Sequence, residues 1–156
     1  SPITNFQTLL ESACNKYRDN PRYPNLIELI LPKTVPTVFG DREYVMTMIS
    51  ELLDNAFKFS PNGEPITVKV AVVNHGAQVQ VIDRGRGIPA QEVENIWKSF
   101  YQVNREQFED QGAGSGLAIV RGLVRLHNAQ LDLTSEEGNG SCFTITFPPH
   151  PAPVSA

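Results

Sequence analysis

A chain of 156 residues and 17.3 kDa, 40% of them hydrophobic, can bury one substantial core and has little room for a second. Its net charge of −4 and pI near 5.3, without any basic cluster, exclude an extended nucleic-acid-binding face, so an anion site has to be local. Cys14 and Cys142 have neither zinc spacing nor a disulfide framework. No apolar run approaches the ~18 residues that span a bilayer, and the N-terminus lacks a basic-then-apolar signal pattern, so a cytoplasmic domain making no membrane contact is expected.

In chain order, Ile3, Phe6, Leu9, Leu10, Ala13 and Tyr17 recur at helical spacing and predict a helix over roughly residues 4–18, stopped by Asp19-Asn20-Pro21. Leu26 to Leu31 is a compact apolar run between prolines and predicts a strand. Asp41 is placed to cap a second helix, in which Val45, Met48, Ile49, Leu52, Leu53 and Ala56 cluster on one side and Pro61-Asn62-Gly63 closes the end. Ile66–Val73 and Ala77–Ile82, separated by Asn74-His75-Gly76, read as a hairpin. A glycine-rich loop, Asp83 to Pro89, follows, and then a short helix is predicted over 91–97. A helix opens at Gly112 and buries Leu117, Val120 and Val124. His127-Asn128 ends it, with His127 expected as a surface or capping residue. Leu131–Thr134 and Ser141–Phe147 form a second hairpin. The domain is expected to occupy residues 1–147, with 148–156 a disordered proline-rich tail.

The second helix carries a polar stripe that its core-facing side does not require. Glu51, Asn55 and Lys58, spaced i, i+4, i+7, fall within roughly 60° of one another. Such a stripe is either a solvated face or a site. As a site, an amide or carboxylate oxygen ligates a hard cation such as Mg²⁺, and an ammonium neutralises a phosphate. The two glycine loops, 83–89 and 112–116, are either simple turns and linkers or places where backbone approaches a ligand closely. The second opens a helix, where free N–H groups and the helix dipole favour an anion. Neither loop ends in Gly-Lys-Ser/Thr, and no apolar strand and third glycine make a dinucleotide fingerprint, so P-loop and Rossmann sites are excluded.

Taken together, four stretches resemble the boxes of the histidine-kinase catalytic domain, in order and at the right spacing. Glu51-Leu-Leu-Asp-Asn55-Ala-Phe-Lys58-Phe-Ser-Pro resembles its asparagine box. Asp83-x-Gly85-x-Gly87-Ile88-Pro89 resembles its first glycine box, Ile96 to Phe100 its phenylalanine box, and Gly112-x-Gly114-x-Gly116-Leu117-Ala-Ile-Val its second glycine box. The resemblance runs from about Phe6 to Phe147. It implies an α/β (α+β) two-layer sandwich of the Bergerat ATP-binding type, a mixed sheet covered on one face by helices.

It further implies that Asp83 accepts the adenine amino group, with Gly85, Gly87, Ile88 and Phe100 around the nucleotide. Asn55 would hold Mg²⁺, Lys58 would contact phosphate, and Gly112, Gly114, Ser115, Gly116 and Leu117 would receive the triphosphate on backbone N–H groups. Residues 98–111 would form a lid over ATP, with Arg105 the basic residue best placed there to reach a phosphate. Ser115 departs from the leucine of many relatives. The activity implied is transfer of the ATP γ-phosphoryl to a histidine on a separate dimerisation domain, for relay to a response-regulator receiver domain. No segment resembling that domain is found, so the isolated chain is expected to be a monomer that binds ATP and needs its partner for transfer. Two other readings stay open. One is an ATP hydrolase in which Glu51 activates water, and the other is a nucleotide-binding docking module without transfer.

Overall fold

The computed structural model describes residues 1–23, 26–60, 63–85, 87–88 and 112–151, with backbone alone at 112–115. Among the described residues there are seven strands and three helices. Strands β1 (Pro2–Ile3), β2 (Ile27–Ile30), β3 (Val38–Phe39), β4 (Ile66–Val73), β5 (Gly76–Asp83), β6 (Gln130–Glu136) and β7 (Gly140–Thr146) are joined by α1 (Phe6–Arg18), α2 (Arg42–Phe59) and α3 (Gly112–Leu126). The predicted helix over 91–97, the lid over 98–111, Pro61-Asn62 and residues 152–156 of the tail lie outside the described residues.

Five strands form one sheet in the order β2-β4-β5-β7-β6; β2 and β4 run parallel and the other neighbours antiparallel. The inward row, which includes Val68, Val70, Val79, Val81, Phe143 and Ile145, meets the apolar sides of the helices, and these residues share one core with Phe6, Leu10, Ile49, Leu52 and Val120. The opposite face is rich in polar side chains such as Gln78, Gln80, Asp132 and Thr134, as period-two alternation requires when helices cover only one side. The mixed sheet under one layer of helices is the architecture the sequence implied.

Local chemistry explains the boundaries. Asn5 caps α1 by accepting from Thr8 N, and Asp41 caps α2 by accepting from Tyr44 N at 3.1 Å. The β4–β5 turn is two residues long, because Asn74 and His75 both take positive φ (50° and 71°) in the manner of a type I′ hairpin. Gly76, expected in that turn, belongs to β5 instead and pairs with Val73. β1 and β3, a two-residue antiparallel pair, were not expected, since neither Pro2-Ile3 nor Val38-Phe39 has enough residues to show a period.

His127 does cap, but it is no surface residue. It is 5% exposed, its Nδ1 lies 2.8 Å from the Leu123 carbonyl, and its Nε2 accepts the Asp41 backbone N–H at 3.2 Å. That pair of bonds assigns the proton to Nδ1. The imidazole thereby ties the last turn of α3 to the first turn of α2. At the other end of the pair Glu51 meets Gly116, so the two helices pack antiparallel.

Candidate functional site

The polar stripe on α2 is graded in exposure. Asn55, one turn from the end of the helix, is 2% exposed; its Nδ2 donates to the Glu51 carbonyl at 3.0 Å, and its Oδ1 is enclosed with no hydrogen-bond partner among the described residues. A buried amide oxygen left in that state costs about 1–3 kcal/mol. This orphaned, hard oxygen is what a Mg²⁺ ligand needs to be, so the residues present fit such an ion. Among the described residues no three His, Cys, Asp or Glu side chains gather into a metal cage. Lys58, one turn on, is exposed and makes no ion pair among the described residues.

Glu51 sits one turn before Asn55. Its carboxylate packs onto the α3 backbone at Gly116, where a Cβ would clash with Glu51 Oε2. Any side chain at 116 would displace the carboxylate from the early turns of α3. Burial holds the Glu51 carboxyl above the usual carboxylate range, and the neighbouring Asp54 charge adds to that rise.

Asp83 ends β5 and is 2% exposed. Register places it opposite Ser141 of β7, whose hydroxyl donates to Asp83 Oδ2 at 2.6 Å, while the Gly85 N–H donates to Oδ1 at 3.0 Å. Two fixed donors orient the carboxylate yet leave lone pairs on both oxygens for a further donor.

The glycines behind Asp83 serve the protein's own packing first. A Cβ on Gly85 would strike the Phe59 carbonyl at the end of α2, and one on Gly87 (φ 71°) would strike the Glu136 carbonyl at the β6–β7 turn. The loop thus threads between α2 and that hairpin. Ile88 is buried, and its N–H donates to Ser135 Oγ at 2.7 Å.

Gly85 is therefore brought to the C-terminal end of α2, Gly87 and Ile88 to the β6–β7 hairpin, and Asp83 to Ser141 and Gly85 between them, while Glu51 is brought to α3. Leu117 is buried under the same helix layer, and the α3 backbone begins at Gly112. Gly112, Gly114 and Ser115 are described by backbone alone, and Phe100 and Arg105 lie outside the described residues. Arg84 is exposed. Two residues that the sequence did not single out, Ser135 and Ser141, stitch the first glycine loop to the β6–β7 hairpin. Only the strand register, which sets Ser141 opposite Asp83, could have exposed that role.

A helix carrying a buried Asn whose Oδ1 lacks a partner among the described residues and a helix opening at a glycine run cover a sheet in which a strand-end Asp is held by two donors. The family model described as histidine kinase-, DNA gyrase B- and HSP90-like ATPase matches residues 40–151, which contain all three. The chain belongs to this ATPase family. Among curated relatives, the adaptive-response sensory kinase SasA of Rippkaea orientalis is 37% identical over 119 residues, covering 76% of this chain and 30% of the relative. The sensor-like histidine kinase SenX3 of Mycolicibacterium smegmatis is 34% identical, with 76% and 31% covered. The chain thus spans about a third of the length of these kinases.

Among solved structures, the mycobacterial sensor histidine kinase MprB superposes with a TM-score of 0.77 at 26% identity, covering 97% of this chain and 99% of that one. Full-length ShkA in complex with AMPPNP superposes at 0.78 and 22% identity, with 99% and 32% covered, a likeness of fold. The ATPase domain described here is homologous to the catalytic domains of sensor histidine kinases. No helix among the described residues is long and apolar enough to cross a membrane.

Proposed function

We propose that this ATPase-family domain binds Mg·ATP and transfers the γ-phosphoryl to a histidine on a separate dimerisation domain, feeding a response-regulator receiver. The observation that carries the reading is Asn55, buried at 2% exposure with its Oδ1 unpartnered, a cost without return unless a ligand arrives. Asn55 would hold Mg²⁺, which when bound neutralises charge on the phosphate oxygens. Lys58 supplies a second positive charge from solvent, and the first-turn N–H groups of α3 are a ready anion cradle. Asp83, held by Ser141 and Gly85, is set to accept from the adenine amino group. In transfer, a P–N bond to the acceptor imidazole forms as the bond to the β-phosphate bridging oxygen breaks, and ADP leaves. Positioning and electrostatics carry such a reaction.

The test is incubation with a histidine-bearing dimerisation domain and γ-labelled ATP. Acid-labile label on the partner is expected; its absence with every cognate partner, while ATP still binds, would reject transfer and leave a docking module. One observation favours a second reading. Glu51 is more basic than a usual carboxylate and lies against the early turns of α3, as a water-activating base would. Steady phosphate release by the isolated domain, lost in Glu51→Gln, would identify a hydrolase.

A further inference from the structure

Lys58 has an obvious competitor for its charge. Asp54 lies four residues before it on α2, the spacing and polarity at which an acidic side chain and a lysine pair best along a helix. Both are exposed, and yet no ion pair joins them: Asp54 Oδ1 instead accepts a 2.8 Å hydrogen bond from the Tyr17 hydroxyl of α1. The same hydroxyl lies 3.0 Å from the Ser50 carbonyl, one turn earlier on α2. The Tyr17 ring is buried and fixed by Tyr23 and Phe57, each with its ring centroid 4.9 Å away. A tyrosine so clamped offers its one proton to two acceptors on α2, of which the charged Asp54 carboxylate is the nearer and the stronger.

We propose that Tyr17 is a positioning residue that holds the Asp54 carboxylate toward α1 and so keeps the Lys58 ammonium available to an anionic ligand. This rests on the reading of Lys58 as a phosphate contact. Burial, then the bond to Asp54, push the Tyr17 phenol up, so it remains a donor across the physiological range. Released from Tyr17, Asp54 would turn along its own helix to Lys58 and screen it. Its charge would then stand beside the stripe at Glu51 and Asn55, where a triphosphate is to bind.

The experiment compares Mg·ATP affinity in wild type, Tyr17→Phe, Asp54→Asn and the double variant. Tyr17→Phe keeps the ring between Tyr23 and Phe57 and removes only the hydroxyl. An exposed pair at this spacing changes an equilibrium about twofold, so Tyr17→Phe should weaken binding roughly two- to threefold. Asp54→Asn should bind like wild type, and the double variant should return to that affinity. Equal affinity in wild type and Tyr17→Phe would overturn the proposal. So would a double variant as weak as Tyr17→Phe, since a merely structural loss is not cured by neutralising Asp54.

A readout without nucleotide separates this from the site assignment. The acylation rate of Lys58 should fall in Tyr17→Phe and recover in the double variant. If wild type binds no nucleotide but those rates behave as stated, the phosphate reading of Lys58 fails and the Tyr17–Asp54 restraint stands. Unchanged rates reject the restraint.

Discussion

Replacing Asn55 by alanine separates folding from function in a way the geometry makes quantitative. The substitution removes the Nδ2 bond to the Glu51 carbonyl, worth about 0.5–1.5 kcal/mol, from an acceptor that the helix already serves. It also removes the enclosed Oδ1, whose missing partner costs about 1–3 kcal/mol, while the small void left behind returns part of that gain. Stability without ligand should therefore move by no more than about 1 kcal/mol, against the usual expectation for a polar residue at 2% exposure. Ligand-dependent stability behaves oppositely. At a nucleotide concentration of a hundred times Kd, wild type gains about 2.7 kcal/mol, or roughly 5–11 °C in Tm for a domain of this size. A tenfold loss of affinity removes about 1.4 kcal/mol of that gain. Urea denaturation without nucleotide, together with melting curves over a Mg·ATP titration, measures both quantities. A fall of more than ~2 kcal/mol without ligand, or an undiminished thermal shift with it, would refute the reasoning.

Ser141→Ala should cost about 1–3 kcal/mol in urea denaturation, because Asp83 Oδ2 loses a buried donor at 2.6 Å. It should also weaken preference for ATP over GTP in competition binding, whereas Ser141→Thr, which keeps the hydroxyl, should retain that preference. Glu51→Gln should stabilise the domain at neutral pH. The folded carboxyl is raised, so it favours the fold while protonated and loses that contribution as pH rises through its folded pKa. The Tm difference between variant and wild type should accordingly shrink as pH falls into the carboxylate range; a difference that ignores pH would contradict the assignment.

Long periodic segments were legible in the sequence because their signal is local. α2 and α3 announce themselves through repeated apolar positions and, for α2, an Asp cap, and β4 and β5 through β-branched residues around Asn74-His75. The four boxes were legible as a set because their order and spacing are fixed. Pairings between distant residues were not. Ser141 meets Asp83 through β-sheet register, Tyr17 meets Asp54 because α1 crosses α2, and His127 reaches Asp41 across 86 positions. Gly85 and Gly87 were marked for closeness to a ligand, yet the nearest atoms to their missing side chains are protein carbonyls. Composition shows that a glycine is required without showing what approaches it.

His127 gives the helix pair a fulcrum. α3 has 15 residues and is about 22 Å long, pinned at its C-terminal end through an imidazole to the first backbone N–H before α2. A tilt of ~5° about that point would carry the glycine end of α3 some 2 Å, on the order of half a turn's rise, with little motion at the pin itself. Gly40 packs directly on the imidazole ring, leaving no room there for a Cβ. Small adjustments in how α3 lies on α2 are thus magnified at the end of the helix where Glu51 meets Gly116, and damped at the end where His127 holds it.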